Sequence, residues 1–315
     1  MNAAEANEVL DKIRTNIEKV IIGKSEAIDL TLVCLICDGH ALIEDVPGLG
    51  KTTLVSALAR SIGCSFTRLQ FTPDVMPSDV TGFTMFDIKT NEKQFIHGAV
   101  MTQILLADEI NRTGPKTQSA LLQAMQEGQV TVDGNTYNLP RPFTVMATQN
   151  PVELTGTYPL PEAQLDRFLM RISIGYPEKA DEKQILERSR KKVSITNLEP
   201  VVSADTVIKL QEQVDGIVCT DLITDYIIEI SRKTREHKDV LLGVSPRGSI
   251  ALMRAAMGDA LLKGRNYVLP DDVQNMLGPV LAHRIILRPQ AYAQNKTTLT
   301  VLQEIMQQVL VPAVK

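Results

Sequence analysis

The segment Ala41–Gly63, ALIEDVPGLGKTTLVSALARSIG, constrains the fold of this chain more than any other. A short apolar run, HALIED, leads into a glycine-containing loop that ends in Gly-Lys-Thr at 50–52. A helix-patterned stretch follows and closes at Gly63. Strand, loop and helix in that order match the pattern G-x-x-x-x-G-K-[ST], in which backbone N–H groups of the loop and first helical turn cradle phosphate. There is one departure: Asp45 stands where the pattern has its first glycine. That glycine only starts the turn, whereas Gly48 and Gly50 fall where backbone must approach phosphate. A second Gly-Lys-Ser, at 23–25, follows only the short run VII, has Glu18 in the first position, and reads as a cap before a helix from Glu26. The expected phosphate-loop contacts are therefore Pro47, Gly48, Leu49, Gly50, Lys51, Thr52 and Thr53.

A phosphate loop needs a partner strand that ends in acid. QILLADE supplies one, an apolar run closing on Asp108 and Glu109. Asp108 and the Thr52 hydroxyl are the expected Mg²⁺ ligands, and Glu109 is placed to polarise a water for attack on the γ-phosphate of ATP. A second carboxylate directly after the metal acid favours hydrolysis over group transfer. A third strand, PFTVMATQNP, ends in Gln149 and Asn150, where a polar side chain can reach the attacking water or the γ-phosphate.

With 315 residues, 44% of them hydrophobic, the chain can fill two cores. Its net charge of −4 provides no global positive field for nucleic acid or anionic lipid. Cys34 and Cys37 have redox or zinc spacing, but they lie inside the apolar run LTLVCLIC and read as a buried helical face. The N-terminus is polar and amphipathic, and no run approaches the ~18 apolar residues of a membrane span. The expectation is a soluble, cytoplasmic protein.

Residues 1–20 read as a leading helix, and 21–176 alternate strands with helices, as in a parallel sheet covered on both faces. Two segments break the alternation. Residues 81–98 read as a β-hairpin turning at Thr90-Asn91, and 128–140 as a tighter one turning at Asp133-Gly134. Pro177 marks the expected boundary between an α/β core, 1–177, and a lid of amphipathic helices, 178–315, with a last helix within 290–315.

The strings LLADEINRTGPKTQSALLQAMQEGQVTVDG, MATQNPVELTGTYPLPEAQLDRFLMR and GVSPRGSIALMRAA carry a resemblance over nearly the whole chain. It closely resembles the MoxR family of AAA+ ATPases, in the helix-2-insert branch that includes magnesium chelatase. The resemblance implies an α/β P-loop core with a five-stranded parallel sheet and hairpin inserts, followed by a smaller all-α lid. It implies that Lys51 contacts the β- and γ-phosphates, Thr52 and Asp108 bind Mg²⁺, Glu109 activates water, and Asn150 is the sensor 1 residue. In LDRF, Arg167 matches an arginine finger extended into a neighbouring subunit, with Arg171 as a competitor one turn later. In SPRGS, Arg247 matches sensor 2, reaching the γ-phosphate of its own subunit, and Ile22 and Gly23 match the segment packed on adenine. The hairpins match inserts that face a pore or rim.

The activity so implied is ATP-driven, chaperone-like remodelling of protein complexes by a homo-oligomeric, hexameric ring, in complex assembly or metal-cofactor insertion. The implied partner is a von Willebrand factor A-domain protein. Two other readings stay open. A nucleic-acid motor should carry basic hairpin tips, but no Lys or Arg lies between Gln129 and Leu139, and Lys89 and Lys93 face Asp87 and Glu92 in the longer hairpin. A nucleotide-dependent scaffold with little turnover is disfavoured by Glu109.

Overall fold

The computed structural model describes residues 1–88, 91–150, 156–190 and 195–313. Helix α1 (Ala3–Glu18) starts at a reciprocal cap: Asn2 accepts from the Glu5 N–H, and the Glu5 carboxylate accepts from the Asn2 N–H. There follow α2 (Ser25–Ile36), β1 (Ala41–Glu44), α3 (Lys51–Ser61), β2 (Phe66–Gln70) and α4 (Pro77–Thr81). Next come a hairpin, β3 (Gly82–Asp87) and β4 (Glu92–His97), then β5 (Ile104–Asp108) and α5 (Pro115–Glu127). A second hairpin, β6 (Gln129–Val132) and β7 (Asn135–Asn138), precedes β8 (Thr144–Gln149), the short α6 (Glu162–Leu165) and β9 (Met170–Ile172).

Five strands form one sheet in the order β2-β5-β8-β1-β9, and every neighbouring pair is parallel. The expected five-stranded parallel sheet is therefore present. Alternation along the strands sorts its side chains into two layers. Ala41, Ile43, Ile104, Leu106 and Met146 face the side covered by α1, α2 and α3. Leu42, Leu105, Ala107, Val145 and Ala147 face the side covered by α5 and the second hairpin. Both faces being buried explains why these strands read as continuous apolar runs.

Both expected hairpins form as antiparallel pairs. The tighter one turns through Asp133 at φ 50° and Gly134 at φ 81°, the doubly left-handed turn that the strand twist favours. The expected turn of the longer one includes Thr90, which lies outside the described residues. The hairpins touch through Phe95 and Tyr137, whose rings stack 4.0 Å apart at 9°.

Helices dominate the rest: α7 (Lys179–Arg190), α8 (Ala204–Asp215), α9 (Asp221–Glu236), then β10 (Val240–Leu242), α10 (Pro246–Leu262) and α11 (Pro270–Leu281). β11 (Ile286–Leu287), α12 (Pro289–Ala293) and α13 (Thr298–Met306) complete the fold. The antiparallel pair β10–β11 departs from the all-helical expectation; it ties the segment after α9 to the segment after α11. None of the described helices is long and apolar enough to cross a membrane.

The helical region does not stand apart from the sheet. Leu210, Ile227, Leu252, Ala256, Val280 and Ile305 belong to the same buried cluster as Ile43, Leu106 and the apolar face of α2. Cys34 and Cys37 lie in that seam, buried and free, and burial pushes the Cys37 thiol up to about 12. Cys37 Sγ donates to the Arg254 carbonyl at 3.2 Å, and Arg254 Nε donates back to the Cys37 carbonyl at 2.6 Å. Gly258 permits the close approach of α10 to α2, since a Cβ there would stand 2.5 Å from Cys37 Sγ and 3.1 Å from Val33 Cγ1. Gly258→Ala should destabilise the fold by roughly 1–3 kcal/mol through overpacking, and Cys37→Ala in the same chain should recover part of that loss; thermal melts of both variants measure it.

Candidate active site

The loop that leaves β1 reaches α3 through two left-handed glycines, Gly48 and Gly50, each at φ 86°. A Cβ on either would meet nothing within 4 Å, so their backbones front open space. Gly50 is the N-cap of α3, whose first-turn N–H groups therefore face the same opening. Asp45 is not in the left-handed region, which removes the need for glycine at that point. Its carboxylate instead ties the loop down: it accepts from Ser173 Oγ at 3.1 Å, from the Ile174 N–H and from the Gly175 N–H at 3.4 Å. Asp45 thus fastens the start of the loop to the end of β9.

One side of the loop opens on a cleft of about 380 Å³. Lys51, Thr52, Asp108, Glu109 and Asn150 all line it, so five residues predicted from three separate segments converge. Lys51 Nζ donates to the Asp45 carbonyl at 2.7 Å. Burial pulls the Lys51 ammonium below its ordinary range, and Asp108, Asp45 and Glu109 offset only part of that shift. The group is thus short of anionic partners until a phosphate supplies more.

Four side chains that sequence reasoning missed contact the acids. The Thr148 hydroxyl donates to Asp108 Oδ1 at 2.6 Å and accepts from the Glu109 N–H at 2.8 Å. Arg68 donates to Asp108 Oδ2 through Nη2 at 2.7 Å and Nε at 3.1 Å. Gln70 Nε2 donates to Glu109 Oε2 at 2.6 Å, which also accepts from Arg112 at 3.0 Å. Glu109 adopts φ 57° and ψ 50°, a left-handed conformation that costs a non-glycine residue roughly 1–3 kcal/mol and that the Thr148 contact helps hold. Register could have found two of these residues. Gln70 pairs with Asp108 on the neighbouring strand, and Thr148 lies one position past Ala147, the last paired residue of β8 against β5.

A buried carboxylate and a hydroxyl in one cleft are the hard oxygen donors that Mg²⁺ takes. Arg68 already brings a cation to Asp108 Oδ2, and its side chain is 49% exposed, free to swing away when a metal takes its place. The residues present fit the ion. Elsewhere, His237, Asp239 and Glu304 have metal-ligand spacing, but Lys296 Nζ already bridges the two carboxylates, 2.7 Å from Asp239 and 2.8 Å from Glu304.

The other side of the loop opens on an apolar cavity of about 400 Å³. Ile22, Leu49, Ile174, Pro177 and Ile185 supply flat walls, and Gly48, Gly50 and Thr53 are shared with the first cleft. The loop thus borders two spaces, one lined by polar and acidic side chains and one largely apolar. Gly23 lines neither. Gly23 turns the chain at φ 65°, where a Cβ would run into the Asp181 carboxylate.

The predicted arginines lie elsewhere. Arg167 precedes β9, and the Leu169 N–H donates to the carbonyl of His40, just before β1. Since both strands run the same way, this is the edge of the sheet opposite the phosphate loop, about 13 Å away at ~3.3 Å per residue of β1. Arg247 lines the same cleft as Arg167, at that opposite edge, along with His40 and Arg284. Its expected reach to a γ-phosphate in its own subunit does not fit this geometry: α10 packs against the far end of α2, which places its N-terminal arginine away from the loop. Arg171 is committed internally, donating to Glu44 at 2.8 Å, which leaves Arg167 as the finger candidate.

Comparison with known proteins identifies the family. Residues 40–170 match the ATPase family associated with various cellular activities (AAA), and residues 232–305 match the AAA lid domain. The chain is 52% identical over 308 residues to the uncharacterised protein YeaC of Bacillus subtilis, covering 98% of this chain and 96% of that one. It is 38% identical over 321 residues to the chaperone MoxR1 of Mycobacterium tuberculosis, covering 99% and 84%. A crystal structure of a protein taken to be an ATPase from Cytophaga hutchinsonii superposes with a TM-score of 0.92 at 36% identity, covering 99% of this chain and 97% of that one. Loop, acid strand, helical lid and relatives agree: this chain is a member of the MoxR family of AAA+ ATPases.

Proposed function

We infer that the protein hydrolyses ATP at sites shared between subunits of a homo-oligomeric, hexameric ring and uses the energy as a chaperone that remodels protein complexes. The observation that carries this reading is the convergence of Lys51, Thr52, Asp108, Glu109 and Asn150 on one cleft beside an apolar cavity. The cavity takes the base, and the loop N–H groups with Lys51 take the phosphates. Glu109 accepts the proton of the attacking water at its carboxylate while that water's oxygen bonds to the γ-phosphorus and the bond to ADP breaks. Asn150 orients the water. Thr52 and Asp108 would hold Mg²⁺, which supplies charge neutralisation at the phosphates when bound.

The arginines support the ring. Arg167 and Arg247 lie on the opposite edge from their own loop, and their guanidinium groups make no hydrogen bond or ion pair with the described residues. A neighbour stacked edge to edge would receive both of them. This gives Arg247 a role in trans, in place of the one expected within its own subunit.

A protein partner is favoured over nucleic acid. The longer hairpin exposes Phe83, Met85, Phe86 and Ile88, while Asp87 and Glu92 offset Lys93, so its described residues form no positive track for phosphodiesters. The family resemblance points to a von Willebrand factor A-domain protein as that partner, in complex assembly or metal-cofactor insertion.

Because phosphate favours the charged form of Lys51, ATP binding should take up protons as pH rises toward its lowered pKa, and affinity should fall with alkaline pH. Titration calorimetry in buffers of different ionisation enthalpy reads the uptake, and Lys51→Arg, always protonated, should remove it. Glu109→Gln should bind ATP yet turn over at least ~10²-fold more slowly; near-normal turnover removes Glu109 from its role. Wild-type specific activity should rise with protein concentration, while Arg167→Ala should stay flat and roughly 10³-fold lower; an unchanged Arg167→Ala rate counts against shared sites.

A further inference from the structure

We propose that Asp166 is a positioning residue that sets Arg167 and Arg247 together, so that one neighbour's site receives both arginines as a single unit. The proposal rests on the reading above, in which these arginines act in trans.

Each oxygen of the Asp166 carboxylate holds a different element. Oδ1 accepts from Arg284 Nε at 2.7 Å, and Oδ2 accepts from Ser245 Oγ at 3.1 Å. Arg284 belongs to the segment after α11, and its side chain is 2% exposed. It donates to the carbonyls of Asp166 at 3.2 Å, Phe168 at 2.6 Å and Leu169 at 3.2 Å, which bracket Arg167 along the backbone. The peptide carrying Arg167 is therefore gripped on both sides. Ser245 is the N-cap of α10 and accepts from the Gly248 N–H at 3.2 Å. Arg247 sits in the first turn of that helix, two residues beyond the hydroxyl that Asp166 receives. Gly248 lets Arg284 run against the helix, since a Cβ there would stand 3.0 Å from Arg284 Cδ. One carboxylate thus fixes the backbone on which each arginine stands.

The arrangement is costly for stability alone. It brings Arg167, Arg247 and Arg284 around one cleft of about 260 Å³. Burial, with Arg247 nearby, lowers the Arg284 guanidinium from its ordinary range, and Asp166 opposes the shift. A buried ion pair adds little net stability over an apolar pair, so specificity of position is what it can provide. Arg284 faces Asp166 and His283, and Arg254, which also lines the cleft, donates to the Cys37 carbonyl and to Asp215; among the described residues, Arg167 and Arg247 are the guanidinium groups of this cleft with no hydrogen bond or ion pair.

The test is ATP turnover in mixed oligomers of full-length chains. Asp166→Asn should lower kcat about 10- to 100-fold, the cost of misplacing a charge by about 1 Å, while ATP affinity by fluorescent-nucleotide titration stays within about twofold of wild type. An equimolar mixture with Glu109→Gln should exceed the sum of the separate rates, because Glu109→Gln subunits bring intact arginines to the intact sites of their Asp166→Asn neighbours. A merely structural defect would not be rescued in this way. Ser245→Ala keeps the Arg284 pair, should lose several-fold in kcat with the same rescue, and carries the test if Asp166→Asn does not fold. Wild-type kcat in both variants overturns the proposal, as does a loss that Glu109→Gln does not rescue while it does rescue Arg167→Ala. If Arg167→Ala itself is not rescued, the trans reading fails and the positioning role falls with it.

Discussion

Parallel pairing of the five central strands decides which parts of the chain can share a site. In such a sheet every strand delivers its C-terminal loop to one edge and receives its chain from the other. The loop after β1, the acids after β5 and Asn150 after β8 therefore meet, although 42 and 57 residues of sequence or more would separate them on an extended chain. By the same rule Arg167, which precedes β9, and His40, which precedes β1, are held at the opposite edge. An edge that carries the Gly48–Lys51 loop and an edge that carries Arg167 are two faces of one topological fact.

At the edge that carries this loop, the chain's own side chains arrange the acids. Thr148 holds Asp108 and Glu109 in mutual orientation, and Arg68 and Gln70, from the adjacent strand, take up one oxygen of each. Such contacts lower the reorganisation needed when charge develops during reaction. Arg68 and Lys51 keep the acids close to neutral balance, so two carboxylates can stand side by side in a partly buried cleft. Asp45 extends the same logic to the loop itself, where a carboxylate on backbone N–H groups replaces the freedom of a glycine with a fixed anchor.

The helical region is joined to the core by packing rather than by a hinge alone. A single apolar cluster runs from the sheet through α2 to α8, α9, α10 and α11. Gly258 against Cys37 and Val33 sets the distance, and Arg284 with Asp166 sets the polar contact at the arginine edge. Yet α7, from the same region, contributes Ile185 and Arg188 to the apolar cavity beside the loop. What fills that cavity is thereby in contact with a region that also carries Arg247.

The loop, its acids and the alternation of elements are legible in the amino-acid order, because those signals are local. Gly48, Gly50 and Lys51 announce a phosphate site within a few residues, Asp133-Gly134 announces its turn, and the period of apolar residues announces each strand and helix. Family resemblance, rather than any local pattern, singled out Ile22, which lines the apolar cavity, and Arg167 and Arg247. Folding in three dimensions set which edge those arginines occupy, put Gly23 at a turn outside the lining of the cavity, and brought Thr148, Arg68 and Gln70 onto the acids. These depend on strand register and on how α10 seats against α2, which are set by contacts between residues far apart in the chain. A local pattern can specify a residue's conformation; only long-range packing can specify whose charge it faces.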